Sequence, residues 1–330
     1  ALTYDAFGRK VTITQANQSK FTYAYDPATL AVDTETIEYD LDHHNGYEFT
    51  RVLDRAAVTL GRDNGWELKN GTTIENQAAY AYSPTDGRLT SISNPLIFNV
   101  PFTYSYVPNS NLIDAVTGPV HTVDNIWETD RDMLDIKENK VGSTTVSKYD
   151  YSVNAIGQRD SVAATGSEFT GARNVAWGYD PLGQVTLVNS SEDTHDRSYQ
   201  YDPIGNRKKS AYSTTLPSTD NYTTNNLNQY TVANGIAFPT GAFDLDGNLV
   251  TGRLPANSAA DSILTWDAEN RMSSATVNGT TTTYLYDAQS RRIATATGTT
   301  TTLYLYDAWN CIAEYSGAAL DKTYLWGVDV

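Results

Sequence analysis

A tyrosine-rich phrase that recurs at fixed spacing constrains this chain more than any other feature. Residues 284–287 read Tyr-Leu-Tyr-Asp, residues 304–307 repeat them, and residues 324–327 read Tyr-Leu-Trp-Gly. Successive copies are 20 residues apart, and a period of this size is typical of repeat architectures. The sequence therefore predicts an array of similar small units.

We interpret each copy of this phrase as the corner of a β-hairpin, where the chain turns from one strand into the next. An aromatic residue ends a strand, and the Asp that follows can accept hydrogen bonds from backbone N–H groups two residues on. Gly or Asn then supplies a positive φ, and a polar residue opens the next strand. Pro181 and Pro203 stand where a turn prefers φ near −65°. The fullest copies are residues 4–9, 179–184, 201–207 and 243–248.

The anchors recur every 20 to 24 residues along most of the chain, which accommodates two strands and two short turns. We therefore predict an all-β fold, in which β-hairpin repeats form one continuous sheet. The predicted repeat anchors are Tyr4, Tyr82, Tyr106, Trp127, Tyr151, Tyr179, Tyr201, Tyr222, Phe243, Trp266, Tyr286, Tyr306 and Trp326. The predicted turn glycines are Gly8, Gly87, Gly157, Gly183, Gly205 and Gly247.

These motifs resemble the Rhs/YD-repeat family. The resemblance rests on the Tyr-Asp-x-x-Gly copies, on residues 266–271 (Trp-Asp-Ala-Glu-Asn-Arg) and on the closing residues 324–327. The family includes bacterial Rhs polymorphic toxins, the shell-forming B and C components of Tc toxins, and the teneurin shell.

The resemblance implies a curved, spiralling sheet that forms part of a cocoon-like shell around a C-terminal toxin or effector. It also implies a bacterial protein that is secreted or displayed at the cell surface. The partner is then the remainder of a longer chain, including that effector. In the family, self-cleavage by paired aspartates near an Asp-Pro-x-Gly motif takes place in a core that follows the repeats. The two Asp-Pro-x-Gly stretches of this chain, residues 180–183 and 202–205, are themselves repeat copies, so we expect no enzymatic activity.

We expect one domain over residues 1–330, with more divergent repeats in 1–150 and regular repeats of about 20 to 23 residues in 151–330. In such an array only neighbouring repeats need to touch. Its stability is then approximately the sum of a term for each repeat and a term for each contact between neighbouring repeats. An open array leaves sheet edges unpaired. We therefore expect the chain to self-associate through those edges.

The charge and composition exclude several classes of partner. A formal net charge of −16 argues against nucleic acid or an anionic membrane as the partner. No run of 18 apolar residues occurs, so no membrane-spanning helix is predicted. The single cysteine, Cys311, allows no internal disulfide.

The turn at residues 244–248 resembles a calcium-binding loop. Asp244, Asp246 and Asn248 are weak candidate ligands, and Asp40 with Asp42 forms a second acidic stretch. Neither has the full set of oxygen ligands that calcium requires, and the first is also a repeat copy whose Asp and Gly are turn formers. We favour the turn interpretation and expect neither a metal nor a cofactor.

The remaining reactive side chains form no recognisable catalytic pattern. The histidines (His43, His44, His121 and His195) lack a metal-binding spacing, and Cys311 has no identifiable base. We expect loop histidines and a structural cysteine. A carboxylate pair for glycoside hydrolysis is the remaining enzymatic alternative.

The abundant tyrosines leave one alternative function open. Tyrosine rings accompanied by Asp and Asn can stack on the apolar face of a sugar. The alternative to a shell segment is therefore a carbohydrate-binding or adhesive surface module, with glycans as partners. Structural stacking of the tyrosines on each other is the simpler interpretation.

Overall fold

The computed structural model describes residues 1–15, 19–40, 49–56, 62–98, 100–252 and 262–327. These residues form 29 β-strands, one 3₁₀ turn at Asp193–His195 and no α-helix, which confirms the predicted all-β fold. The residues divide into two compact units. The first unit comprises Ala1–Thr103 and Thr265–Val330, and the second comprises Tyr104–Leu264. The boundary predicted at residue 150 stays a prediction.

The first unit begins with an antiparallel meander, here called the N-terminal sheet, in which each strand pairs with the next along the chain. Its strands are β1 (Leu2–Tyr4), β2 (Lys10–Thr14), β3 (Lys20–Tyr25), β4 (Val32–Tyr39), β5 (Phe49–Arg55), β6 (Gly65–Asn70), β7 (Thr73–Tyr82), β8 (Leu89–Ser93) and β9 (Phe102–Tyr106). Burial alternates along these strands. In β4, for example, Glu35, Ile37 and Tyr39 are buried, so one face of the sheet is covered.

The second unit is also a meander of successive antiparallel hairpins. Its long strands are β10 (Ile113–Thr117), β11 (His121–Trp127), β12 (Leu134–Val141), β13 (Thr144–Val153), β14 (Arg159–Thr165), β15 (Arg173–Tyr179), β16 (Val185–Ser190), β17 (Arg197–Tyr201) and β18 (Arg207–Ala211). Shorter strands follow: β19 (Thr223–Thr224), β20 (Tyr230–Ala233), β21 (Ile236–Ala237), β22 (Thr251–Gly252) and β23 (Ser262–Trp266).

The first unit is completed by a second meander, the C-terminal sheet. The strands of this sheet that lie within the first unit are β24 (Met272–Val277), β25 (Thr280–Tyr286), β26 (Arg292–Thr297), β27 (Thr300–Asp307), β28 (Asn310–Ser316) and β29 (Ala319–Thr323). Tyr286 ends β25 and Tyr306 is the last residue but one of β27, so the two anchors lie on alternate strands that both pair with β26. Trp326 differs from the prediction, because it lies three residues beyond the end of β29.

The main hydrophobic core lies between the N-terminal and C-terminal sheets of the first unit. Phe49 packs edge-on against Tyr315, with ring centroids 4.8 Å apart. Leu53 and Leu68 of the N-terminal sheet belong to the same buried cluster as Leu305 of the C-terminal sheet. Each large apolar side chain buried in this way contributes about 1.5–3 kcal/mol.

This sandwich shows that the prediction of purely neighbouring repeat contacts is wrong. Arg51 in β5 donates to the carbonyl of Ala318 across 267 residues, and the buried Asn76 in β7 donates to the carbonyl of Ile312 across 236 residues. The physical reason is that a sheet with one apolar face must cover it. In the first unit, repeats from the two ends of the chain cover each other.

Candidate functional site

Each repeat contains a corner, the short turn that joins two strands of a hairpin. The anchors and arginines described below are placed relative to these corners. At Asp202, the carboxylate oxygen Oδ1 accepts hydrogen bonds from the amides of Ile204 at 3.0 Å and Asn206 at 2.8 Å. The amide of Gly205 donates to the carbonyl of Asp202 at 3.1 Å, and Gly205 has a φ of 93°. This is a tight turn followed by a left-handed residue, a common hairpin connection.

The same arrangement recurs along the chain. The capping side chain bonds amides two and four residues on at Asp5, Asn154, Asp180, Asn225, Asp244, Asp267 and Asp287. All six predicted turn glycines have positive φ, from 74° at Gly87 to 93° at Gly205. Asn228, Asn270 and Ser290 take the glycine position at three corners, with φ of 62°, 58° and 63°.

Two predicted anchors, Tyr151 and Tyr222, do not lie directly before the corner. Val153 and Thr224 immediately precede the capping residues of their corners, and Tyr151 and Tyr222 stand two positions earlier. Because side chains alternate with a period of two, sequence pattern alone could not separate these positions. Phe243 lies in an isolated bridge with Leu249, outside the named strands.

The anchors join successive repeats through their polar tips. The hydroxyl of Tyr306 donates to the carbonyl of Arg292 at 2.7 Å, and that of Tyr286 donates to the carbonyl of Met272 at 2.9 Å. In each case the acceptor is the first residue of the strand after the preceding corner. Equivalent bonds come from Tyr25, Tyr179, Tyr201 and the indole nitrogen of Trp326. The anchor of one repeat is therefore fixed to the backbone of the repeat before it.

Arginine at the end of a corner adds an ion pair, and its burial differs between repeats. Nε of Arg271 lies 2.8 Å from Oδ2 of Asp267, with side chains 21% and 27% exposed. Nε of Arg291 lies 2.6 Å from Oδ2 of Asp287, where the exposed fractions are 7% and 1%. Burial alone would raise the pKa of Asp267, but the hydrogen bonds and charge of Arg271 hold that pKa below its usual value.

A polar network lies between the two sheets of the first unit around Glu35. Burial raises the pKa of Glu35, although the positive charges of Arg291 and Arg55 oppose the rise. Arg55 also donates to Oδ1 of Asp307 at 2.7 Å. Burial, followed by the charge of Glu35, raises the pKa of Tyr23. These ionisable groups sit inside the sandwich and are satisfied by one another.

An aromatic pocket of about 570 Å³ opens on the C-terminal sheet. Trp309 at the last corner is 72% exposed, and Trp326 is 42% exposed. The indole of Trp326 and the hydroxyl of Tyr324 are bonded to Cys311 and Glu314, so the rings are held in place. The lining also includes Tyr286, Ser290, Arg291, Arg292, Tyr304 and Tyr306.

A solved structure shares this arrangement of hairpins. In the structure of the Photorhabdus luminescens Tc holotoxin pore, a chain aligns with 97% of these residues over 20% of its own length, with a TM-score of 0.56 and 15% sequence identity. The protein described here therefore shares the fold of that Tc toxin chain, which is the fold that its resemblance to Rhs/YD repeats predicts. The TcdB2–TccC3 crystal structure aligns 95% of this chain with 21% of its own, at a TM-score of 0.48 and 13% identity. The chain thus spans about a fifth of the length of these chains.

Sequence comparison adds nothing to this structural match. No protein-family model matches the chain, and no curated protein matches it. The resemblance to Rhs/YD proteins that the motifs predicted is therefore confirmed by the fold, at low sequence identity.

Within this Rhs-type fold, the calcium-like turn is an ordinary corner. Oδ2 of Asp244 accepts from the side-chain amide of Asn248 at 3.1 Å, while Oδ1 accepts the amides of Asp246 and Asn248. In the described part of the chain, no group of three or more His, Cys, Asp or Glu side chains is placed to hold a metal. Asp42, His43 and His44 lie outside the described residues.

The other reactive side chains are dispersed in the Rhs-type fold. Burial raises the pKa of the Cys311 thiol to about 11, which keeps it protonated and a poor nucleophile. His121 begins β11, and His195 ends the 3₁₀ turn, 3.3 Å from Glu192. None of the described residues belongs to a helix long and apolar enough to cross a membrane.

Two sets of residues were not predicted from the sequence. The corner arginines Arg271 and Arg291 were visible in the motif, as the polar residue after the glycine, but their unequal burial was not. The second set is the residue two positions after each capping side chain. Its amide bonds the cap but its side chain takes no part in that bond, and in the second unit it is repeatedly aliphatic and exposed.

Proposed function

We propose that this chain is a wall segment of an Rhs-type β-shell that encloses a C-terminal toxin or effector, in a protein exported by a bacterium. The observation that carries the proposal is the structural alignment of 97% of the chain with part of a Tc holotoxin chain. The corner hydrogen bonds support it, because they account for the repeated Asp residues as turn formers. The segment itself has a structural role and no catalysis.

Protection from protease tests enclosure. The full-length gene product should be digested under native conditions, and the cleavage sites mapped by mass spectrometry. Peptides from the region after the repeats should appear much later than peptides from exposed loops such as residues 213–220. Equal rates for the effector region and these loops would contradict enclosure.

A separate experiment tests whether the segment lacks catalytic activity. The purified 330-residue chain should keep its intact mass over several days and turn over no ester, glycoside or peptide substrate. Turnover that disappears when Glu314 or Cys311 in the aromatic pocket is replaced would contradict a purely structural segment.

A carbohydrate-binding surface is the second candidate, and the aromatic pocket favours it. Exposed Trp309 and Trp326 present ring faces, while neighbouring Arg292 and Glu314 offer polar groups. Aromatic rings of this kind can stack on sugars. A glycan array should show binding that is lost in Trp309→Ala and kept in Tyr212→Ala, since Tyr212 is equally exposed and does not line the pocket. If the array shows no binding, the carbohydrate-binding function is excluded and the wall-segment function remains.

A further inference from the structure

A buried carboxylate lies between the two sheets of the first unit. Glu35 in β4 is 8% exposed, and Ile37 and Tyr39, which follow it on the same face of the strand, belong to the core. The carboxylate of Glu35 accepts a hydrogen bond from the hydroxyl of Tyr23 in β3. Its proton equilibrium is therefore set by the groups that the two sheets bring together rather than by bulk water.

Two arginines reach this region, and each has a closer carboxylate partner. Nε of Arg291, at a corner of the C-terminal sheet, lies 2.6 Å from Oδ2 of Asp287, and both side chains are buried. Arg55 of β5 donates to Oδ1 of Asp307 at 2.7 Å and lies 3.6 Å from Oδ2 of Asp63. Both guanidinium groups are therefore committed to aspartates.

Glu35 is the surplus carboxylate of this cluster. The described residues place more carboxylates than guanidinium groups here: Glu35, Asp63, Asp287 and Asp307 against Arg55 and Arg291. A buried, ionised carboxylate without its own cation is costly, whereas the protonated form needs only a hydrogen bond. The electrostatics agree, because burial raises the pKa of Glu35 although the charges of Arg291 and Arg55 oppose the rise.

The neighbouring phenols do not titrate in the same range. Burial raises the pKa of Tyr23 and of Tyr39 well above the usual value for tyrosine, so both stay protonated near neutral pH. Because the two inner aspartates each have an arginine partner and the phenols stay neutral, Glu35 is the member of the cluster whose charge responds to pH.

We propose that Glu35 is a pH-sensitive switch in the joint between the N-terminal and C-terminal sheets, which hold together most tightly while Glu35 carries a proton. Loss of the proton puts an unpaired negative charge beside Asp287 and Asp307 of the C-terminal sheet. The joint then loosens, although each sheet keeps its own hairpins. This switch does not depend on what the shell encloses.

The direction of the response follows from linkage. An acid whose pKa is higher in the folded than in the unfolded chain contributes stability that is fully present below the unfolded value, about 4.3 for glutamate. That stability is lost as the pH rises through the folded value. The first unit is therefore held more firmly in mildly acidic than in neutral surroundings. Glu35 thus acts above the pH range in which the corner aspartates lose their contribution.

Hydrogen exchange of the 330-residue chain, measured by mass spectrometry at about pH 5 and about pH 8 and corrected for the intrinsic rate, tests the proposal. Amides of β4 and β27, which Tyr39 joins across the core through its bond to the carbonyl of Tyr304, should exchange several-fold faster at the higher pH. Amides of β12 and β13 in the second unit are the internal control and should not change.

Three variants assign the response to Glu35. Glu35→Gln keeps the shape of the protonated side chain but cannot ionise, so exchange in β4 and β27 should be slow at both pH values. Asp307→Asn removes one carboxylate and frees Arg55 to pair with Glu35, so the response should be flattened. Glu38→Gln, on the opposite face of β4 and 3.6 Å from Lys20, should respond like the parent chain.

Several results would overturn the proposal. Exchange in β4 and β27 of the parent that does not change with pH removes the switch, and an equal rise in β12 and β13 assigns it to the whole chain. A response that persists in Glu35→Gln belongs to another group, and one that is lost in Glu38→Gln belongs to net charge. An unchanged response in Asp307→Asn contradicts the charge count, whether or not Glu35→Gln folds. None of these results bears on enclosure, which the protease experiment measures separately.

Discussion

Tyr39 donates a hydrogen bond from its hydroxyl to the main-chain carbonyl oxygen of Tyr304, at 3.0 Å and across 265 residues of sequence. Tyr39 is 1% exposed, so water cannot replace this partner. Replacing Tyr39 by Phe should lower the free energy of unfolding by about 1 kcal/mol, the usual net value of a neutral hydrogen bond. Chemical denaturation measures the change. Tyr4→Phe, at an exposed site, is the control, and equal effects would show that the Tyr39 bond contributes nothing.

The buried corner pair should be far more sensitive to mutation than its exposed counterpart. Arg291→Leu leaves the carboxylate of Asp287 buried without its cation, which typically costs about 3–5 kcal/mol. Arg271→Leu removes the same interaction from a corner of the same geometry, where the side chains are partly exposed, and should cost about 0–1 kcal/mol. The difference between the two unfolding free energies is the test. Similar losses would mean that burial does not control the strength of this pair.

Gly247 tests the conformational requirement of the corner. Its φ is 90°, and a Cβ there would meet only Nε2 of Gln229, at an ordinary 3.7 Å. Gly247→Ala should therefore cost about 1 kcal/mol through backbone strain alone. Gly171→Ala, where φ is not in the left-handed region and no atom lies within 4 Å, should be neutral or slightly stabilising. The thermal midpoints of both variants, compared with that of the parent chain, measure these effects.

Acid should destabilise the corners. The hydrogen bond from the side chain of Asn206 lowers the pKa of Asp202, and the pKa values of Asp5 and Asp244 are lowered too. For these two, burial acts in the opposite direction, but the corner hydrogen bonds outweigh it. A lowered pKa in the folded state gives stability that is present above the unfolded value of about 4 and is lost as the pH falls through the folded value.

The matching variant replaces these three residues by Asn, which caps the corners at Asn154 and Asn225. Its urea midpoint should fall less between pH 5 and pH 2 than that of the parent chain, consistent with the general acid sensitivity of bonded carboxylates. A control with Asn at exposed Asp33, Asp160 and Asp321 removes the same charge and should follow the parent. If both triple variants behave alike, net charge rather than capping controls the acid response.

A chelator should leave the thermal midpoint unchanged. The carboxylate oxygens of Asp244 are engaged by groups of Asp246 and Asn248, which leaves no open set of ligands for calcium. Differential scanning fluorimetry with EDTA, and separately with added calcium, measures this. A rise of several degrees with calcium would restore these residues as ligands, since binding to the folded state stabilises it.

The corners could be predicted from sequence because each is local. Asp202 and Gly205 are three residues apart, and the Asp carboxylate together with the absence of a Cβ at Gly205 specifies the turn. The sandwich of the first unit could not be predicted in this way. Phe49 and Tyr315 meet across the core, but in sequence each is an aromatic residue in one strand among many. Repeats with similar apolar faces give no local signal for which pair will cover each other.

The aromatic pocket was predictable only in part. The 20-residue period placed Tyr286 and Tyr306 on strands flanking β26, but Trp326 follows its strand and contributes through a hydrogen bond to the carbonyl of Cys311. That contact depends on the path of the chain after β29, which no turn motif specifies.

The pairing of distant segments in the first unit has a consequence for biosynthesis. Tyr39 reaches Tyr304 only after a further 265 residues have been made, which takes roughly 13–50 s at ribosomal rates of about 5–20 residues per second. During that interval the apolar face of the N-terminal hairpins is uncovered on the nascent chain. Production of the intact protein should therefore depend on holding chaperones, and slow translation should favour aggregation of the unfinished polypeptide.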